Sequence, residues 1–237
     1  MTSDVRIDPE ETTARVGGSG VRVLALLLGG VPRGAAVVVA GPDGLDDMAA
    51  IDTMNHLAQH GYESLLALPA DPADAPAAGI VDHLVARLAE RGWQDEQIGV
   101  IGHGAGARAA LVAAAARSYG AAVSIPRDPL TLLVPDAITD LRTAWIGLVG
   151  QGDSAGLTGE LAAYRDALRE RAPEHTALVG YPGADHCLRD STDPREHAAA
   201  FDAWQRTAEW LDIHVVPRPT PFALAWRERQ RSLQPST

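Results

Sequence analysis

The chain contains no lysine. All 20 of its basic residues are arginine, which excludes lysine Schiff-base chemistry and lysine-held pyridoxal phosphate. Cysteine is nearly absent: Cys187 stands alone, so no intrachain disulfide and no cysteine-rich metal site can form. Excess positive charge is missing as well. The formal net charge is −11, and phosphate binding needs a basic footprint, so a nucleic-acid partner is not expected. Long apolar runs are missing too. Stretches such as Val23 to Leu28 and Ala35 to Ala40 fall far short of the ~20 residues that span a bilayer, and no membrane partner is expected. Met1 to Glu10 is polar and acidic, unlike the basic-then-apolar layout of a secretion signal, so the expected location is cytoplasmic.

What is present is a chain of 237 residues, a length that suits one α/β domain. The opening reads as a hairpin, Thr12 to Val16 and Val21 to Leu28, around Gly17-Gly18-Ser19-Gly20. Ala35 to Ala40 reads as a buried central strand. Helical spacing follows over Asp46 to Gln59, with Ile51, Met54, Leu57 and Ala58 on one side, and again over Ile80 to Arg91. Further strands are expected at Glu63 to Leu68, Ala121 to Ile125, Ala144 to Val149 and Thr176 to Val179, and further helices at Leu157 to Arg171 and Pro194 to Trp210. Asp71 to Pro76 is a loop by composition, and Pro126 to Asp140 is irregular, a segment able to cover part of a cleft. Strands alternating with helices imply parallel pairing with right-handed crossovers. Residues 1–213 therefore form one α/β domain. Residues 214–237 form a Pro/Arg-rich tail, stiff from Val216 to Pro221 and amphipathic from Phe222 to Arg231. Docking on its own domain, docking on a partner subunit and fraying in solvent are the alternatives for this tail.

One segment carries the functional question. From Ile98 a short β-rich run enters a glycine turn, Gly102-His103-Gly104-Ala105-Gly106, and leaves into an alanine-rich helix, Ala105 to Arg117. This is the layout of a nucleophile elbow, G-x-S-x-G. The middle position is Gly104, which has no side chain and cannot form an acyl-enzyme. Open α/β sheets place functional residues at the C-terminal ends of strands. Three further loops fit that position: Gly41-Pro42-Asp43-Gly44, Gly150-Gln151-Gly152-Asp153 and Tyr181-Pro182-Gly183-Ala184-Asp185-His186. Elbow, acid and histidine then follow the chain order of α/β-hydrolases.

With "LAQHGYESLLALPAD" at Leu57 to Asp71, "IGVIGHGAGARAALVAAA" at Ile98 to Ala115, "GLVGQGD" and "YPGADH", the chain resembles the dienelactone hydrolase family over about Thr12 to Asp212. The resemblance implies an α/β-hydrolase fold with a mostly parallel sheet, flanking helices and little or no cap. It places the nucleophile position at Gly104, where family members carry cysteine or serine, the acid at Asp153 and the base at His186. It also implies oxyanion-hole N–H groups at Ala105 and near Asp43. The arginine that dienelactone enzymes place near the Asp71 to Pro76 loop has no counterpart here. His103 and Arg189 are candidate substrate contacts, Arg189 for an anionic group.

Each candidate has a plainer alternative. Asp153 suits a helix N-cap. His103 suits a structural neighbour of the elbow. Trp204 and Trp210 have core spacing on a helix. Cys187, next to His186 in an extended loop, should point away from it. Ser124 and Ser154 are poorly placed as replacement nucleophiles. No metal spacing such as H-E-x-x-H occurs, and neither metal nor cofactor is expected.

The functional expectation is an enzyme without a covalent nucleophile. It uses the His186–Asp153 pair and an oxyanion hole for general acid–base chemistry on a small carbonyl, ester or lactone substrate. Water-driven hydrolysis, isomerisation, dehydration and ring closure are all open. The first alternative is a catalytically silent binding or scaffold protein. The second is a dinucleotide-binding domain, because Gly102-x-Gly104-x-x-Ala107 fits G-x-G-x-x-G/A and Asp128 lies near the next strand end. A homodimer is an open alternative to a monomer.

Overall fold

The computed structural model describes residues 6–41, 45–69, 79–134, 141–152, 155–171, 175–187 and 192–233. Eight strands form one sheet: β1 (Glu10–Val16), β2 (Ser19–Leu26), β3 (Gly34–Ala40), β4 (Tyr62–Pro69), β5 (Ile98–His103), β6 (Ala121–Ile125), β7 (Trp145–Gly152) and β8 (Thr176–Pro182). Their order across the sheet is β1-β2-β4-β3-β5-β6-β7-β8. Only β2 runs against its neighbours; from β4 to β8 every pairing is parallel. This is the expected α/β-hydrolase arrangement. The turn between β1 and β2 is tighter than the four-residue turn read from sequence. Gly17 (φ 61°) and Gly18 (φ 92°) alone close it, because two positive-φ residues match the twist of the flanking strands.

The helices are α1 (Asp47–Gln59), α2 (Gly79–Glu90), α3 (Gly106–Ala116), α4 (Ala155–Arg171), α5 (Pro194–His214) and α6 (Pro221–Leu233). They sort onto two faces because side chains on a strand alternate. Val37, Val39, Ile98 and Val100 pack with Leu84, Leu111 and Leu161 of α2, α3 and α4. Ala36, Val38 and Ile101 pack with Met54, Leu57 and Leu211 of α1 and α5. All seven residues of β3 are buried, as a central parallel strand covered on both faces requires. In α1 the buried stripe runs through Ala50, Thr53, Met54 and Leu57. Ile51 and Ala58, expected in that stripe, are only partly buried.

Capping explains two helix starts. The Asp46 carboxylate accepts the Ala49 N–H at 2.7 Å. Asp193 accepts from Arg195 at 2.7 Å, with Pro194 opening the helix. One polar cluster lies at the opposite edge of the sheet from the strand C-termini. Glu63 is buried and receives two bonds from the Arg91 guanidinium, at 2.9 and 3.0 Å, and one from Trp93 Nε1 at 2.6 Å. Burial alone would raise its carboxyl pKa, but these donors outweigh that and hold it below the ordinary value. Among the described residues no helix is long and apolar enough to cross a membrane.

Candidate active site

The elbow is built by close backbone approach. A Cβ on Gly102 would run into the Gly106 carbonyl oxygen and lie 2.7 Å from Ala107 Cα. A Cβ on Gly106 would run into the carbonyl of Val39 on the neighbouring strand. Both outer positions of the G-x-G-x-G turn therefore have no room for a side chain. The central Gly104 has φ 56°, the left-handed backbone expected of a strained strand-to-helix turn. Its N–H donates to Ile125 O at 2.9 Å and its carbonyl accepts from Ala107 at 3.1 Å. Gly41 N donates to His103 O at 3.1 Å, which ties the loop after β3 to the same turn. α3 begins at Ala105 with no side-chain cap. The first-turn N–H groups of such a helix carry partial positive charge.

The histidine loop is locked against the end of β7. Gly152 N donates to Ala184 O at 2.8 Å, and Gly183 N donates to Gly152 O at 3.1 Å. Gly150 has no space for a Cβ, which would lie 2.5 Å from His186 N. β7 runs on to Gly152, beyond the Ala144 to Val149 strand read from sequence, with a register irregularity at Gly150/Gly152. Gly152 has the left-handed φ of 51°, so the chain turns there, within the Gly150-Gln151-Gly152-Asp153 turn read from sequence. Asp153, Asp43 and Arg189 lie outside the described residues, as do Ser154 and the Asp71 to Pro76 loop.

His186 is partly buried at the end of this loop. Its Nε2 lies 3.8 Å from Oε2 of Glu196, in the first turn of α5. Sequence reading did not single out Glu196. The signal was there in Asp193-Pro194-Arg195-Glu196, a capped helix start that places an acid one turn in, ten residues after the histidine. The junction is braced by Tyr181, whose hydroxyl donates to Asp202 of α5 at 2.9 Å, while Asp202 also accepts from Arg206 at 2.6 Å.

The other described residues singled out in the sequence lie as follows. His103 is buried and lines a small hollow with Leu45, Thr53, Ile125, Cys187 and Trp204. This hollow brings the residue before Gly104 next to the residue after His186, so elbow and histidine loop meet there. Cys187 is buried in that hollow. Its thiol donates to Leu148 O at 3.1 Å, and burial pushes its pKa up to about 12, so it is not a thiolate. Ser124 is buried, donating to Ala107 O at 2.8 Å and accepting from Trp145 Nε1 at 3.0 Å. Asp128 caps the short 3-10 turn Pro129–Leu132 by accepting from Leu130 N. Trp210 packs on His214 and donates to Ala144 O at 3.2 Å. Among the described residues no group of three His, Cys, Asp or Glu is arranged to hold a metal ion.

No curated protein matches the chain in sequence. Solved structures share its fold. A candidate dienelactone hydrolase from Klebsiella pneumoniae is 22% identical, with a TM-score of 0.64 over 86% of this chain and 98% of that one. The dienelactone hydrolase from Anabaena variabilis is 20% identical, with a TM-score of 0.60 over 88% of this chain and all of that one. The propionate-bound esterase Est2 from Thermogutta terrifontis is 15% identical, with a TM-score of 0.63 over 90% of this chain and 97% of that one. The dienelactone hydrolase family itself matches residues 71–215, more than half of the chain and the stretch that holds both the elbow and the histidine loop, and the chain belongs to that family.

Proposed function

We propose that this protein is a hydrolase-type enzyme that works without a covalent nucleophile, with His186 as general acid–base. The observation that carries the reading is the elbow: its close-packed outer glycines and left-handed central residue are intact, yet the reacting position bears no side chain.

The proposed chemistry follows from the parts. A carbonyl substrate sits over Gly104, in the space a serine or cysteine side chain fills in relatives. The Ala105 N–H and a second N–H from the loop at Asp43 stabilise the developing oxyanion, a contribution of about 3 kcal/mol per donor in other enzymes. His186 takes a proton from water, or moves a proton on the substrate itself. Asp153 supplies the orienting carboxylate, as its place after β7 in the family's chain order implies. Glu196, with Oε2 3.8 Å from His186 Nε2, stands beside the ring on the α5 side and helps to position it. The substrate class is a small ester, lactone or other carbonyl compound. Within it, hydrolysis by activated water is favoured, since the similar folds include an esterase and a dienelactone hydrolase.

The test uses a p-nitrophenyl ester as probe. The wild-type chain should hydrolyse it without an acyl-enzyme visible by mass spectrometry, and His186→Ala should reduce turnover to the solution rate. Gly104→Ser should accumulate an acyl-enzyme, because the proposal puts base and oxyanion donors around that position. His186→Ala turning over like wild type would refute the proposal and favour the silent binding protein.

A further inference from the structure

A cavity between α1 and α5 plays no part in the proposed chemistry. It measures about 400 Å³ and is lined by His56, Gln59, His60, Phe201, Trp204 and Gln205, with His197 and Ala200 beside them. That volume falls at the low end of small-molecule sites, roughly 300–1,000 Å³. His197, Phe201 and Gln205 recur at four-residue spacing, so α5 supplies them from one face. His56, Gln59 and His60 come from the last turn of α1 and its C-cap.

The recess offers aromatic surface. Trp204 packs on His56, with ring centroids 5.3 Å apart, and meets His60 edge-on at 6.5 Å. Phe201 is 64% exposed, and a flat ring entering the recess has Phe201 and Trp204 to pack on. Trp204 and Ala200 also line the small hollow at His103 and Cys187, which has room for about one water, about 10 Å³. The two spaces share that wall, so an occupant of the recess lies on the far side of it from the elbow.

Charge narrows the class of ligand. Among the described residues, those lining the recess include no arginine, aspartate or glutamate. Asp212 reaches His60 at 3.7 Å, but it already receives Arg33 at 3.3 Å and the Tyr62 hydroxyl at 3.1 Å. Asp52 of α1 pairs with Arg6 at 3.4 Å, and Asp202 of α5 with Arg206 at 2.6 Å. The lining thus holds no fixed charge to pair with an ionic ligand. Its histidines are not a metal set either, since among the described residues no three His, Cys, Asp or Glu are arranged around one ion. What it supplies is neutral hydrogen bonding. Gln59 and Gln205 each carry a donor and an acceptor, the complement of a lactam or amide edge.

We infer that the α1–α5 recess is a binding site for an uncharged, planar heteroaromatic of two fused rings. The ring faces pack on Trp204 and Phe201, and a lactam or amide edge bonds to Gln59 and Gln205. The site is separate from the reaction over Gly104 and does not depend on it.

Isothermal titration of the full-length protein with 2-quinolinone, a bicyclic lactam, tests this without any turnover. Saturable, one-to-one binding with a Kd of about 0.1 mM is expected, ordinary for a ligand of that size. N-methyl-2-quinolinone, which lacks the N–H, should bind about tenfold more weakly. Gln59→Leu with Gln205→Leu, both at exposed positions, should weaken 2-quinolinone by at least about tenfold with unchanged circular dichroism. The ring signals of His56 and His60 should shift in NMR spectra as the wild type is saturated. His186→Ala should bind like the wild type. The absence of saturable heat overturns the proposal, as does an N-methyl analogue that binds equally well or binding that survives loss of both glutamines. Binding lost in His186→Ala also overturns it, because it places the ligand at the reaction centre.

Discussion

Replacing Gly102 by alanine tests the elbow on which the active-site reading stands. The added methyl would meet only backbone: the Gly106 carbonyl group and Ala107 Cα, the latter at 2.7 Å. Neither can rotate away as a side-chain tip could. β5 is itself held on both edges, by β3 and β6, so the strand cannot slide to make room. Overpacking of this kind costs about 1–3 kcal/mol, and the upper end applies where no flexible neighbour can yield. The loss of chain entropy in the unfolded state returns roughly 0.5 kcal/mol. A net loss of about 2 kcal/mol lowers Tm by roughly 4–8 °C in a protein of this size. The same chemical change at Gly159 in α4, where nothing lies within 4 Å, should instead stabilise by roughly 0.5–1 kcal/mol through helix propensity. Thermal unfolding followed by circular dichroism, with urea titration beside it, reads both variants. Gly102→Ala melting at or above the wild type would show that the turn does not have this geometry.

Two further outcomes follow from buried groups. Glu63→Gln should cost about 2 kcal/mol, because it removes charge-assisted bonds from Arg91 and Trp93 inside the protein. The folded carboxyl lies below the ordinary glutamate value of 4.5, so its stabilisation is fully present above that pH and is lost as the pH falls through the lowered folded value. The gap between wild type and Glu63→Gln in urea midpoints should therefore close on acidification, and a gap that widens would contradict the assignment. Cys187, buried and held near pKa 12, should react with a thiol reagent only on unfolding; rapid labelling of the native protein at neutral pH would place it elsewhere.

Much of this protein was legible as a string of residues. Periodicity and turn chemistry marked the hairpin, the alternation of strands and helices, and their parallel pairing, since a buried strand such as Ala35 to Ala40 and a capped helix such as Asp46 to Gln59 declare themselves locally. Gly102 and Gly106 were legible for the same reason. Close approach of backbone to backbone demands glycine at both positions, and the demand is written at fixed spacing. The absence of lysine, of paired cysteines and of a nucleophile at position 104 likewise required no coordinates.

Other features depend on which distant segments the fold brings side by side. Glu196 neighbours His186 only because β8 hands over to α5 at that point, with Tyr181 and Asp202 bracing the junction. Gly150, read as part of a turn, belongs to β7 because Tyr181 of β8 pairs with it, and the chain turns only at Gly152, with φ 51°. Cys187 and His103 share one hollow although 83 positions separate them. Local chemistry, in short-range spacing and backbone preference, determined the elements and the vacant elbow. Tertiary contact, which sequence distance does not encode, decided the partners of each side chain.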